Sequence, residues 1–230
     1  MTLTPGGPVV VVGGGTGFVG RAVVGVLLAG GARVIVPARR EADAERFYLE
    51  ASPETVPRLR TAVGEFGDPG MPGRIAAVAR REFGGVDHLV SVIGSASPGP
   101  LATLDAQGVQ RVIEDDVAAP GRFILGMLRH LNGAAPVKRV VAVTPAAEHK
   151  TGGEPDAWSL GRTFVEGLVT LLGDARRPGL EFYVLRAPRL ARGGRGVGLV
   201  GQEVARLLAE GGALGADDFV IQLIFPSNMS

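Results

Sequence analysis

Short apolar runs alternate with longer amphipathic segments along most of this chain. The run Val9–Val12 is entirely valine and ends in glycines, which is typical of a strand buried on both faces of a sheet. Phe18–Ala29 follows with apolar residues at helical spacing. The predicted strands cover residues 9–12, 33–36, 59–63, 86–93, 137–143, 182–185 and 219–225. The predicted helices cover residues 18–29, 41–49, 74–83, 106–131, 156–172 and 202–209, and Pro120 should kink the fourth or divide it in two.

The order of these elements predicts a fold. Strands that alternate with helices at this spacing form parallel βαβ units. We therefore expect an α/β protein with a Rossmann-type, doubly wound parallel sheet of seven strands and helices on both faces. Because no internal repeat or linker divides the sequence, we expect a single domain over residues 1–230.

A glycine-rich turn joins the first predicted strand to the first predicted helix. Gly14, Gly17 and Gly20 have the spacing GxxGxxG, with Thr16 and Phe18 between them. Such a turn presents backbone N–H groups of the helix N-terminus to a diphosphate, and its third glycine lets helix and strand pack closely. Glycine-rich turns also occur for structural reasons alone, but a position between strand and helix favours a dinucleotide site.

Arg39 and Arg40 follow the second predicted strand, where an acidic residue would hold the adenosine ribose of NAD. Arginine accommodates the 2′-phosphate of NADP, so we expect NADP(H) in preference to NAD(H). The alternative is two solvated arginines at the start of a helix. Asp68, beyond the third strand, either accepts a hydrogen bond from the adenine amino group or is a turn residue before Pro69.

Several segments of the chain resemble the short-chain dehydrogenase/reductase family. The run GVDHLVSVIG at 85–94 is similar to the fourth strand of that family, where a hydrophobic-Asp-x-Leu-Val run leads into Asn-Asn-Ala-Gly. Further similar runs are VIEDD at 112–116, VVAVT at 140–144 and RAP at 186–188. The resemblance covers nearly the whole chain and implies a cofactor site that also includes Gly94 and Pro188.

The resemblance also shows where this chain departs from the family. Members use a Tyr as proton donor or acceptor, a Lys four residues later that lowers the pKa of the Tyr and holds the nicotinamide ribose, and a Ser that orients the substrate. Alignment puts Trp158 at the Tyr position, Arg162 at the Lys position and Pro145 at the Ser position, with Thr144 beside it. Asp116 takes the place of an Asn that supports a proton-relay water.

Trp158 and Arg162 change the chemistry that is expected at this site. An indole N–H donates a hydrogen bond but does not ionise, so it cannot exchange a proton as a phenol does. Arg162 stays charged and can hold a ribose hydroxyl or a phosphate without relaying a proton. Either both side chains face a ligand, or Glu166 neutralises Arg162 as a helix pair and Trp158 serves packing alone.

Other residues offer little acid–base chemistry. His149 follows the fifth strand in a loop that borders the substrate in this family, and is a candidate acid or base; the alternative is a solvated loop tip. Tyr48 and Tyr183 should not reach the cleft. The three histidines are too scattered to predict a metal site, and the chain has no cysteine.

Composition and charge limit the classes of partner. A net charge of +1 offers no field that gathers nucleic acid, and no apolar run has the length of a membrane span, so we expect a cytoplasmic protein that binds neither. The resemblance implies a homodimer or homotetramer formed through the helices at 106–131 and 156–172.

Three functions fit these observations. The first is an NADP(H)-binding protein without the usual Tyr-dependent chemistry, either a pseudoenzyme or a catalyst of a redox-neutral step on a small molecule. The second is a working NADPH-dependent oxidoreductase that uses another proton donor. The third is a non-catalytic partner or sensor subunit.

Overall fold

One sheet of seven parallel strands carries the fold, in the spatial order β3-β2-β1-β4-β5-β6-β7. The computed structural model describes residues 6–94, 100–145, 157–175, 177–187, 196–211 and 220–222, with the backbone alone at 157–158 and 220–222. The chain runs outward from β1 to β3, then crosses back to β4 on the other side of β1. This reversal creates the crevice at the carboxyl ends of β1 and β4 in which doubly wound sheets bind ligands. The predicted fold class is confirmed.

The strands match the apolar runs of the sequence. Their bounds are β1 Val9–Gly13, β2 Arg33–Ala38, β3 Leu59–Val63, β4 His88–Ser91, β5 Lys138–Pro145, β6 Leu180–Ala187 and β7 Val220–Gln222. The helices are α1 Phe18–Ala29, α2 Glu41–Glu50, α3 Met71–Phe83, α4 Ala106–Val112, α5 Ala119–Leu128, α6 Ala157–Asp174 and α7 Val197–Glu210. A π-helical segment at Ile113–Ala118, called the π-turn below, joins α4 to α5.

The core lies in two layers, one on each face of the sheet. Alternate residues of β1 divide between them: Val9 and Val11 pack with α3, α5 and α6, while Val10 and Val12 pack with α1, α2 and α7. All four valines are at most 1% exposed. The all-valine run therefore has the burial on both faces that its composition predicts.

The long predicted helix widens into a π-turn just before Pro120. The helix does not break at the proline; α4 leads through the π-turn into α5, whose first turn contains Pro120. A proline in a regular helix lacks the N–H donor and clashes with the carbonyl four residues earlier, here that of Asp116. The wider π-turn gives that carbonyl room, so the chain continues as a helix, which ends at Leu128 instead of residue 131.

Two other helices begin earlier than the sequence predicts. α3 begins at Met71 instead of residue 74, because Pro72 fits the first turn of a helix, where no backbone donor is needed. α7 begins at Val197 instead of residue 202, despite Gly198 and Gly201. Tertiary packing overrides the low helix propensity of glycine in that segment.

Candidate functional site

The glycine turn between β1 and α1 has the geometry of a diphosphate-binding loop. Gly14 has φ +77°, which L residues with a side chain rarely adopt, and its carbonyl accepts a hydrogen bond from the Gly17 N–H at 3.0 Å. A Cβ on Gly20 would lie 2.1 Å from the Gly14 carbonyl oxygen. The third glycine thus permits the close packing that its spacing predicts, and no side chain of the described residues caps the N-terminus of α1.

The mouth of this turn is open and is braced by an arginine. Gly17 and Phe18 are exposed and Thr16 is half-buried, so ligand atoms can reach the backbone here. Arg21, in the first turns of α1, donates a hydrogen bond from Nε to the Thr16 carbonyl at 2.9 Å and forms an ion pair with Glu50. The spacing of the glycines does not identify Arg21, although a basic residue four positions after Gly17 is a signal for anion binding.

The two arginines after β2 have different surroundings. Arg40 donates to both carboxylate oxygens of Asp43, at 2.9 and 2.8 Å, and this hydrogen-bonded pair lowers the pKa of Asp43. Arg39 lies 3.9 Å from a carboxylate oxygen of Glu65 and 3.8 Å from one of Asp115, outside hydrogen-bond distance of both. Of these two arginines, Arg39 is therefore the one that is less committed to a protein partner.

Asp68 is placed as a turn residue. One carboxylate oxygen accepts the Gly70 N–H at 2.7 Å and the other accepts a hydrogen bond from Arg74 at 2.7 Å. The Arg74 hydrogen bond is the main reason that the pKa of Asp68 is lowered. Of the two interpretations of Asp68, this geometry favours the turn before α3 over adenine recognition.

The π-turn brings consecutive aspartates to opposite sides. Asp115 is half-buried and lies 3.8 Å from Arg39, whereas Asp116 is 5% exposed and lies against α6. A Cβ on Gly161 of α6 would lie 2.6 Å from the Cβ of Asp116, and one on Gly94 would lie 3.6 Å from its carboxylate. Asp116 therefore lies between Gly94, three residues beyond β4, and the helix that carries Trp158 and Arg162.

α6 carries, on successive turns, the two residues that the resemblance aligns with the family's Tyr and Lys. The backbone of Trp158 lies in the first turn, Arg162 follows one turn later and is half-buried, and Glu166 comes a further turn on. Glu166 does not pair with Arg162, so the structure does not support the alternative in which these two residues form a helix pair. It accepts hydrogen bonds from Arg186 of β6 at 2.9 and 2.6 Å, because Arg186 extends from the sheet directly under α6.

Thr144 belongs to the same network. Its side chain is 4% exposed beneath α6, and its hydroxyl donates to Glu166 at 3.0 Å. A carboxylate paired with arginine only accepts, so the single hydroxyl proton of Thr144 is directed to Glu166. In this arrangement Thr144 contacts α6 through the carboxylate of Glu166.

The hydroxyl groups of the two tyrosines bond near the amino ends of strands, whereas the crevice lies at the carboxyl ends. The Tyr48 hydroxyl donates to the carbonyl of Leu59, the first residue of β3, and the Tyr183 hydroxyl donates to Glu181 near the start of β6. These placements confirm that neither phenol reaches the cleft.

His88 is buried in β4, where its Nδ1 accepts the Arg139 N–H at 3.1 Å.

Some candidate residues lie outside the described part of the chain. His149 and Pro188 are among them, and of Trp158 only the backbone is described. Within the described residues, no group of three or more His, Asp or Glu side chains has the arrangement of a metal site. No helix in the same residues is long and apolar enough to cross a membrane.

Residues 8–178 match the short chain dehydrogenase family. The chain belongs to this family. Members bind NAD(P), which agrees with the crevice beside the glycine turn. No curated protein matches the sequence.

Solved short chain dehydrogenases share the fold over almost their full length. A short chain dehydrogenase from Bacillus anthracis is 14% identical, with a TM-score of 0.79 over 94% of both chains. A variant of actinorhodin polyketide ketoreductase solved with NADPH is 18% identical, with a TM-score of 0.78 over 96% of this chain and 97% of that chain. A glucose/ribitol dehydrogenase of the family from Brucella melitensis is 17% identical, with a TM-score of 0.76 over 94% of both chains. At these identities the likeness shows the fold alone.

Proposed function

We propose that this short chain dehydrogenase binds NADP(H) in the β1–β4 crevice but lacks the family's Tyr-dependent proton transfer. The observation that carries the proposal is the glycine turn, in which Gly14 has a positive φ and Gly20 packs against its carbonyl, beside an open N-terminus of α1. The diphosphate would bind to the backbone N–H groups in the first turn of α1, and Arg39 would contact the 2′-phosphate. Gly94 and Arg162 would border the nicotinamide half.

The chemistry proposed for the site follows from what α6 carries. When bound, the nicotinamide donates or accepts a hydride, but reduction of a carbonyl also needs a proton. Trp158 cannot ionise, Arg162 keeps its proton and Thr144 directs its own to Glu166. The protein would therefore act as a pseudoenzyme, or would catalyse a redox-neutral step on a small molecule held beside the cofactor.

A working oxidoreductase with another proton donor is the alternative, and two assays separate it from the proposal. Calorimetric titration measures NADPH binding, and absorbance at 340 nm measures NADPH consumption with a panel of ketones, aldehydes and quinones. We expect saturable binding without carbonyl-dependent consumption. Carbonyl-dependent consumption by the wild-type protein would contradict the proposal and favour the alternative.

Restoring the family's Tyr and Lys tests why the wild-type protein would not consume NADPH with carbonyl compounds. The Trp158→Tyr, Arg162→Lys double variant regains a phenol and an amine, and its matched control is Trp158→Phe, Arg162→Lys, which lacks only the hydroxyl. Carbonyl-dependent NADPH consumption by the tyrosine variant alone would identify the lost acid–base pair as the cause. Silence of both variants would show that the pocket or the cofactor position has also changed.

We further propose that the protein forms a homodimer or homotetramer through α4, α5 and α6. What supports this is a set of apolar side chains that these helices and the π-turn leave exposed, by 37% to 71%: Val109, Ile113, Leu125, Leu160, Phe164 and Leu171. The same surface would serve a non-catalytic subunit. Sedimentation velocity measures the oligomeric state, and the Leu171→Glu, Leu125→Glu double variant should be monomeric.

A cytoplasmic location remains a prediction.

A further inference from the structure

Arg39 lies between two carboxylates that come from different parts of the chain. Glu65 follows the end of β3 by two residues, and Asp115 projects from the π-turn. The Arg39 guanidinium is 3.9 Å from Glu65 and 3.8 Å from Asp115, and all three side chains are 44% to 69% exposed. We call these three residues the Arg39 clasp.

The clasp spans the adenosine half of the crevice. Arg39 follows β2, and Asp115 belongs to the segment between β4 and β5, so the contact crosses above β1, which separates β2 from β4 in the sheet. The adenosine of a dinucleotide binds at these carboxyl ends. A ligand that enters this half of the crevice therefore meets Arg39 while both carboxylates are close to it.

The neighbouring arginine does not share this role. Arg40 is held by two short hydrogen bonds to Asp43, which satisfy its charge on α2. The contacts of Arg39 are longer and exposed, and such ion pairs are weak and screened by salt. Arg39 can accordingly leave them for a stronger anion.

We propose that Glu65 and Asp115 set the selectivity between NADP(H) and NAD(H) by competing with the 2′-phosphate for Arg39. This inference rests on the proposed function. A phosphate carries roughly 1.5 to 2 negative charges and takes Arg39 from the carboxylates, but it is then repelled by them at short range. A ribose 2′-hydroxyl is neutral and can donate to a carboxylate, so the same two residues favour NAD(H).

Calorimetry with two nucleotide fragments tests the clasp apart from the nicotinamide half. The probes are adenosine 2′,5′-bisphosphate, which carries the 2′-phosphate, and 5′-AMP, which does not. The test protein is the Glu65→Gln, Asp115→Asn double variant. The control is Asp174→Asn, Glu210→Gln, which changes the net charge equally at the far ends of α6 and α7.

We expect the double variant to bind the bisphosphate about three- to tenfold more tightly than the control at low salt, with no gain for 5′-AMP. Arg39→Ala added to the double variant should abolish the gain, and so should high salt. If the wild-type protein binds the bisphosphate and NADPH, but the double variant binds the bisphosphate no more tightly than the control, the inference is overturned and the proposed cofactor binding stands. If neither protein binds NADPH, NADH or the bisphosphate, the proposed function fails, and the inference fails with it.

Discussion

Glu166 on α6 accepts hydrogen bonds from Nε and Nη2 of Arg186 on β6, one at each carboxylate oxygen, at 2.9 and 2.6 Å. Thr144 of β5 donates to the same carboxylate, and the pKa of Arg186 is raised by its bond to Glu166. One carboxylate therefore ties α6 to the ends of two adjacent strands. Because α6 carries Trp158 and Arg162, this network fixes the helix on which the candidate site depends.

Glu166→Gln should lower the free energy of unfolding by about 1–3 kcal/mol, because Arg186 keeps its charge beneath α6 and loses its ionic partner. Urea unfolding measures this. Asp43→Asn is the control, since it removes a carboxylate from an exposed arginine pair and should leave the midpoint nearly unchanged. Equal midpoints for both variants would show that the network does not hold α6.

Gly161→Ala should separate α6 from the π-turn. Its Cβ would lie 2.6 Å from the Cβ of Asp116 and 2.8 Å from the Asp116 carbonyl, so backbone must shift, at a cost of about 1–3 kcal/mol. Gly167→Ala, on the same helix with no heavy atom within 4 Å of the added methyl group, should instead stabilise by about 0.5–1 kcal/mol. Thermal unfolding of the two variants should therefore shift in opposite directions. A Gly161→Ala protein as stable as Gly167→Ala would contradict this packing.

Asp87→Asn should destabilise the protein at the amino ends of β1 and β5. The buried Asp87 carboxylate accepts the Val9 N–H at 2.8 Å and the Ala135 N–H at 2.7 Å, one at each oxygen. An amide turns one acceptor into a donor that faces an N–H, which should cost about 2–4 kcal/mol in chemical unfolding. Asp105→Asn is the control, because its single bond to the Gly108 N–H survives in asparagine. Similar stabilities of the two variants would rule out this role of Asp87.

His88 should make the protein less stable in mild acid. Burial lowers its pKa from 6.5 to about 4. Between those values the unfolded chain binds a proton at this residue and the folded chain does not, so the free energy of unfolding falls as the pH falls, by about 2–4 kcal/mol in all.

The comparison of wild type with His88→Asn isolates this contribution, since asparagine offers an acceptor to the Arg139 N–H without titrating. The wild-type protein should lose more stability than the variant between pH 6.5 and 4. His130→Asn should change the profile less, because His130 is only partly buried. Parallel profiles of wild type and His88→Asn would contradict the buried neutral imidazole.

The sheet could be predicted from sequence because its signals are local. The valines of β1 and the glycines after it identify a strand and a turn without reference to the rest of the chain. The π-turn was not predictable in the same way. Pro120 signals an irregular helix, but whether it breaks, kinks or widens the helix depends on the packing of Asp116 against Gly161.

The candidate site was predicted less completely, because ion pairs depend on tertiary contacts. Helical spacing suggested that Glu166 pairs with Arg162, yet Arg186, twenty residues away, takes both carboxylate oxygens. Glu65 and Asp115 gave no sequence signal as neighbours of Arg39. Only the order of strands in the sheet brings these three residues together.

Titration with NADPH tests the central claim most directly. Trp158 is the only tryptophan of the chain, so its emission and its energy transfer to the reduced nicotinamide report on cofactor that binds in the crevice. The account predicts saturable quenching and transfer with NADPH, weaker binding of NADH, and no loss of NADPH absorbance when carbonyl compounds are added. Absence of a saturable response to either nucleotide, or turnover of NADPH with a carbonyl compound, would contradict it.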